Sequence, residues 1–406
     1  MTGAALYLFD DRRARRWAPF SLTRPIGELL HGCLTLRERA ELVLQATCEG
    51  HVSRTALVGF EEPGAAPAIR LDDVRGSGPR ILLTSRAVLD FQDVALPTKS
   101  ARIMVGGEPA GWIVADGDPL PSEFWLREPG SDPGTGPSLE LEGSILGTPW
   151  ALIAANEERI TRDIQTLYPT NDEIPGVHRV GDHNVSLAEG AFVEPGIHLD
   201  LRHGPIRLDD GVRVEGPARL IGPLYVGRDS TLVGGAIGTS SFGPVCRIRG
   251  EVAHSVFLGF DNKSHDGHIG HAFVGRWVNL GAFTTNSDLK NNYGTIRVWT
   301  PEGEVDSGLI KLGCLLGDHV KTGIGTTINT GTVIGAGSNM FGGLMPPTVV
   351  PPFSWGSGHT LVDYQLDKFL ETTARVMARR AQALSPTMAE VLRHAWHGTV
   401  GGRNQP

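Results

Sequence analysis

The chain has little cysteine: four residues in 406, Cys33, Cys48, Cys246 and Cys314, scattered too widely to form a close-spaced metal pair. That scatter predicts a reduced compartment. It also has no apolar run of membrane-spanning length, and its first residues lack the apolar core of a signal peptide, so a cytoplasmic protein with no membrane partner is expected. Positive charge is not in excess either. With 37 Lys and Arg against 45 Asp and Glu, the net charge of −8 argues against a nucleic-acid platform. What the chain has in quantity is glycine, 53 residues. Much of it falls in a repeat region rather than in a low-complexity tract, so disorder is not implied.

That repeat has a period of six. Leu208, Val214, Leu220, Val226 and Leu232 form one run; Ile310, Leu316, Thr322, Ile328, Ile334 and Met340 form another. Small residues sit between, as in Ile221-Gly222, Val226-Gly227 and Ile334-Gly335. Six residues fit neither helix nor alternating strand; they fit a parallel β-helix built of short strands and tight turns, each apolar beat stacking on its equivalent one coil away. Glycine or Asn is expected at corners that need positive φ. The beat is lost at 239–265 and 283–309, where loops are predicted to leave the coil and carry function.

Three regions follow. Residues 1–175 mix strand-like runs (5–9, 80–84, 112–114) with a helix-like stretch from Ile26 to Leu44, and so read as an α/β domain; Glu128 to Ser138 reads as a surface loop within it. Residues 176–357 form the coil. Residues 358–406 form a helical tail, with Leu366, Phe369, Leu370, Thr373, Val376 and Met377 at helical spacing and a second helix opening at Ser385-Pro386. The tail is expected to cover the open end of the coil or a neighbouring subunit.

The stretch NKSHDGHIGHAFVGRWVNLGAFTTNSDLKNNYGTI (262–296), with KLGCLLGDHVKTGIGTTINTGTVIG (311–335), resembles the acetyltransferase half of the bifunctional sugar-1-phosphate nucleotidylyltransferase/acetyltransferases, in particular the variant N-acetylglucosamine-1-phosphate uridylyltransferase/glucosamine-1-phosphate acetyltransferase branch. LYLFDD (6–11), LTRPIGEL (22–29) and PWALIAAN (149–156) extend the resemblance towards the N-terminus. It implies a nucleotidyltransferase-like α/β domain followed by a left-handed β-helix, assembled as a homotrimer. It also implies acetyl-CoA as cosubstrate, a hexosamine 1-phosphate as acceptor, and a nucleoside triphosphate, expected to be UTP, carried with Mg²⁺.

The resemblance puts a general-base histidine at His265, in Lys263-Ser264-His265-Asp266-Gly267. A neutral imidazole suits removal of a proton from an attacking amine near pH 7. His268, Asn286, Lys290, Asn291, Tyr293 and Lys311 match positions that embrace the sugar phosphate; Thr322, Gly323 and Gly342 lie in coils that accommodate acetyl-CoA. Each also has a plain structural reading, as turn, packing or solvated surface. The histidines 254, 265, 268 and 271 raise metal binding as an alternative, as in carbonic anhydrases built on such a coil, but three-residue spacing in a six-residue coil turns side chains in different directions.

The N-terminal region departs from the pattern. A glycine-rich phosphate loop is missing, and FDDRRARRWAPFSLTRPIGEL stands in its place. Arg12, Arg13, Arg15, Arg16 and above all Arg24 are the candidates to neutralise triphosphate, with Asp116 and Asp118 as Mg²⁺ ligands. A single-activity enzyme and a non-catalytic β-helix scaffold stay open beside the bifunctional reading.

Overall fold

The computed structural model describes residues 4–75, 78–134 and 136–400. The N-terminal sheet is built from β1 (Ala5–Phe9), β2 (Thr47–Val52), β3 (Ala68–Ile69), β4 (Arg80–Thr84), β5 (Ala101–Val105), β6 (Glu108–Val114) and β7 (Ser138–Leu141), in the order β7-β5-β6-β4-β1-β2-β3. β1 is flanked by β2 and β4, both parallel to it; β6 is antiparallel to β4 and β5. Leu6, Leu8, Ile81 and Leu83 fill one face of this sheet, as alternate residues of buried strands do.

The stretch from Ile26 to Leu44 is not one helix. A turn of 3₁₀ helix and a short hairpin come first, and α1 (Leu36–Leu44) begins only after Thr35, whose hydroxyl and Glu38 form a reciprocal capping box. Gly32 explains the break: its φ is +72°, and a Cβ there would stand 2.2 Å from the Asp163 carboxylate. That carboxylate belongs to α2 (Asn156–Leu167) and also holds Cys33 N and Arg39. The segment 128–138 is tied to the sheet through Trp112 Nε1 and Asp132 (2.7 Å); Thr135 within it lies outside the described residues.

The coil's first strand is His178–Val180 and its last is Ser354–Ser357, and successive coils pair in parallel register. Leu208, Val214, Leu220, Val226 and Leu232 stack inside it, each fully buried, with Leu316, Ile328, Ile334 and Met340 continuing the column. Each such side chain contributes roughly 1.5–3 kcal/mol of burial. Ile310 is the exception: it is 55% exposed, because the coil resumes only at Cys314.

Residues 239–265 do not leave the coil. Phe242, Ile248 and Phe257 keep the core filled there, and Lys263 occupies an inward position beside Ile248. Residues 287–311 do leave it, as an insertion carrying the hairpin Arg297–Thr300/Gly303–Asp306. One corner of the coil has positive φ at Val245, Phe260, Trp277, His319 and Phe353, where glycine or Asn was expected. Stacked rings offset the strain: Phe260 on Trp277 at 4.2 Å and Trp277 parallel to His319 at 6.5 Å.

The tail helices α3 (Leu366–Ala378) and α4 (Pro386–His397) run along that aromatic corner instead of across the coil's end. Phe369 meets Phe353 and His319 edge-on, and Met377 packs on Phe260 and Trp277. α4 continues into the N-terminal region, where Val391 and Leu392 join Leu57 and Phe60. The end of the coil is closed by an antiparallel strand, Thr360–Asp363, on Ser354–Ser357. Among the described residues no helix is long and apolar enough to cross a membrane.

Candidate functional site

His265 sits on an exposed turn between the strands Asn262–Lys263 and His268–Gly270. The turn is held from inside. Lys263 folds into the coil, and its ammonium donates to the carbonyls of Arg249 (2.7 Å) and of His265 itself (2.8 Å). Burial pulls the Lys263 pKa down to about 8, with Asp266 opposing that shift. Asp266 pairs with Arg249 at 3.1 Å, and its carbonyl accepts from Phe283 N. Among the described residues the His265 imidazole has no hydrogen-bond partner and faces solvent. Along the same edge follow Phe283 (63% exposed), Ile324 (73%), and Leu344 and Met345, about half exposed. A water-facing apolar ridge of this kind is unusual on a lone subunit.

The next face and corner hold a second polar group. Asp288, in the insertion, receives His271 Nδ1 at 2.7 Å and stands 3.9 Å from His268 Nε2. His268 also lies 3.3 Å from Glu251, and its pKa is raised by Asp288, against partial burial, with Glu251 adding to the shift. The two imidazoles hold the Asp288 carboxyl well below the usual range. His271 stacks on His254 at 4.6 Å; burial, the neighbouring His271 and Lys311 lower the His254 pKa to about 4. Among the described residues no three His, Cys, Asp or Glu side chains are arranged to hold a metal ion.

The remaining candidates divide. Lys290 and Asn291 line a pocket of about 410 Å³ with Asn329 and Thr330; Lys290 Nζ is bonded to the Thr295 carbonyl. Tyr293 is 70% exposed and Lys311 is exposed, bridged through its backbone to Leu289. Asn286 is spent on the fold: its amide accepts from Gly270 N and donates to Gly270 O, so it has no free group for a sugar. Thr322 is likewise inward, sharing a hydrogen bond of 2.7 Å with Thr284. Gly323 stacks between Gly281 and Phe341 on the His265 edge, and Gly342 follows Phe341 there. Asp288 and Asn329 were not anticipated. Asp288 is the one carboxylate in the insertion's first turns, a signal that could have found it.

In the N-terminal region Arg24 is no phosphate ligand. It is fully buried, with both terminal nitrogens on Glu62 (2.9 and 3.0 Å) and Nε on Asp318 of the coil (2.9 Å). Its burial opposes charge, yet Asp318 and Glu62 raise its pKa above the usual arginine range. Asp116 and Asp118 do not fit a Mg²⁺ site beside a nucleotide. Val114 pairs with Arg80 at the amino end of β4, so the two aspartates lie at the opposite end of the parallel strands from Asp10 and Asp11, and they bond Gly78 N and Ser100. Asp10 and Asp11 lie at the carboxyl end, but both are saturated: Asp10 by Ser53, Ser85 and Ile26 N, Asp11 by Arg86, Thr84 and Ala14 N. Of the other arginines, Arg12 pairs with Glu128, Arg16 with Glu302, Arg13 is exposed, and Arg15 donates to backbone carbonyls.

Comparison with known proteins adds to this. Residues 6–171 match the family model described as sugar nucleotidyl transferase. The chain is 33% identical over 93 residues to a bifunctional sugar-1-phosphate nucleotidylyltransferase/acetyltransferase of Sulfurisphaera tokodaii, a match covering 23% of each chain. It is 27% identical over 203 residues to the bifunctional protein GlmU of Methanocaldococcus jannaschii, covering 49% of this chain and 44% of that one. The chain thus spans less than half the length of these curated relatives. Among solved structures, a UDP-N-acetylglucosamine acyltransferase of Arabidopsis aligns over 51% of this chain and 78% of its own at 12% identity, with a TM-score of 0.32.

Proposed function

We propose that the chain is a two-part transferase of sugar-nucleotide synthesis. The coil moves an acetyl group from acetyl-CoA to the amine of a hexosamine 1-phosphate. The N-terminal part then joins the N-acetylated sugar phosphate to a nucleoside triphosphate, expected to be UTP, releasing pyrophosphate. The observation that carries the first half is the His265 turn: an accessible imidazole, unpaired among the described residues, on a backbone fixed by the buried Lys263 clamp. The second half is supported by the family match over residues 6–171 and by the similarity to the bifunctional relatives.

In the first step the amine nitrogen attacks the thioester carbonyl as its proton passes to a neutral His265 ring nitrogen. The tetrahedral intermediate collapses, the C–S bond breaks, and the thiolate of CoA leaves and takes up that proton. No covalent enzyme intermediate is required, because the thioester is already activated. Lys290 and Lys311 are the cations offered to the sugar's phosphate, with Asn291 for hydroxyls. The apolar ridge of Phe283, Ile324, Leu344 and Met345 is covered by a neighbouring copy in a trimer, which closes a channel for acetyl-CoA along Gly323 and Gly342.

The test follows one sample of purified chain with glucosamine 1-phosphate, acetyl-CoA, UTP and Mg²⁺, reading free CoA thiol and pyrophosphate together. Release of both is expected. CoA alone removes the nucleotidyl half, and neither product from a folded trimer removes the proposal for this sugar.

A further inference from the structure

The parallel register of the coil stacks one outward-facing residue from each coil into a column. On one face that column reads Thr231, Arg247, Asn262, Asn279, Lys321 and Asn339, each set beside an inward residue of the series Leu232 to Met340. No carboxylate interrupts it. The face runs from the aromatic corner under α3 to the turn edge that carries His265.

Arg247 does not stand alone on this face. Val245, two residues before it, shares the apolar cluster of Phe260, Trp277 and Met377 with Val376 and Leu384 of the tail, so the carboxyl end of α3 lies close by and brings Arg379 and Arg380. Arg247 and Arg379 are exposed, and Arg380 is half-buried. Among the described residues none of the three guanidiniums has a carboxylate within ion-pair distance or a hydrogen-bond acceptor. Burial lowers the Arg380 pKa, and Arg247 and Arg379 add to that shift against Cys246 and Asp261. Those two opposing groups carry little charge, because burial pushes both of their pKa values well up.

The neighbouring carboxylates have other work. Asp261 accepts from Val278 N at 2.8 Å and from Gly259 N at 3.1 Å, holding the coil from within. Asp229 leans back over Gly211, one coil further from Arg247. The carbonyls at the end of α3 favour cations at Arg379 and Arg380, but they do not account for Arg247, which belongs to a strand. Like charges gathered without a counter-ion make a place where an anion gains.

We propose that Arg247, Arg379 and Arg380 form a binding site for a phosphoryl group, on the face of the coil beside the His265 turn and apart from Gly323 and Gly342. Guanidinium forks match the oxygens of a phosphate, and three of them suit a dianion better than a single carboxylate. Two sources carry that chemistry: the phosphates of CoA, and a free anion such as inorganic phosphate or pyrophosphate. The free-anion case does not depend on acetyl transfer.

The experiment is calorimetric titration of the full-length chain with inorganic phosphate, pyrophosphate, CoA and 3′-dephospho-CoA at fixed ionic strength. Arg247→Met and Arg380→Met should each weaken binding of at least one of these roughly tenfold or more, with an unchanged melting temperature. Arg247→Lys should recover part of the loss. Arg375→Met, whose charge is already met by Glu371 on α3, should change nothing. A loss confined to CoA and its dephospho form assigns the phosphoryl group to CoA; a loss with phosphate or pyrophosphate assigns it to a free anion. Binding indifferent to both Arg→Met substitutions overturns the site, as does no binding of any of the four to chain that melts cooperatively. CoA release from acetyl-CoA in that same preparation would leave the acetyl-transfer reading standing.

Discussion

The seam around Arg24 and the coil edge around His265 use the same kinds of side chain in opposite ways. At the seam, Arg24, Arg276, Glu62 and Asp318 are all buried, and two cations meet two anions through bonds of 2.7–3.1 Å, with Thr23 adding one more to Asp318. At the edge, the His265 imidazole is exposed and has no hydrogen-bond partner among the described residues, while the lysine beneath it is committed entirely to backbone, the His265 carbonyl included. The seam's four charges are neutralised from within the chain, whereas the candidate base is left open on a rigid turn. Residue type alone does not separate the two.

The sharpest way to break that contrast is Arg24→Met. It takes the side-chain cation from buried Asp318 and one of two from Glu62, and should destabilise the chain by about 3–5 kcal/mol, read by denaturant unfolding, with both proposed activities lost together. Next in size, His265→Ala should slow acetyl transfer by roughly two to four orders of magnitude with an unchanged melting temperature. An unaltered rate would remove His265 from the mechanism, and a fall in melting temperature would make it structural.

The third test is pH. Burial alone would raise Glu62, but Arg24 and Arg276 hold it at about 2; burial would raise Glu28 too, and His51 and Arg37 bring it to about 2. Both folded values lie below the ordinary glutamate value. The stability these groups contribute is therefore fully present above about pH 4.5 and is lost as pH falls towards 2. Unfolding free energy measured across that window should drop, and Glu62→Gln should lessen the slope. The smallest effect belongs to Arg12→Ala, whose exposed pair with Glu128 should be worth under about 1 kcal/mol. A larger loss would mean that the loop after β1 depends on it.

Much of the coil was legible because its inward residues are apolar and evenly spaced from Leu208 to Leu232. It ceased to be legible where the inward position is Lys263, or where a corner is Trp277 rather than glycine, since the compensation comes from carbonyls and rings in neighbouring coils. The His265 turn stands out as a candidate because its motif is contiguous. Arg24 was misread because its partner Asp318 is 294 residues away, and no local pattern announces such a pairing. Asp116 and Asp118 failed for a related reason: a strand's direction in the sheet decides which end a carboxylate occupies, and β6 runs antiparallel to β4.

The same separation has a consequence during synthesis. Arg24 emerges from the ribosome early, yet 294 further residues must be translated before Asp318 follows. At about 5–20 residues per second, that interval is roughly 15–60 s. Val391 and Leu392, which complete the apolar cluster around Leu57 and Phe60, arrive later still. The nascent N-terminal sheet therefore has only Glu62 to set against Arg24, and an uncovered apolar cluster beside it, until these distant segments have been made.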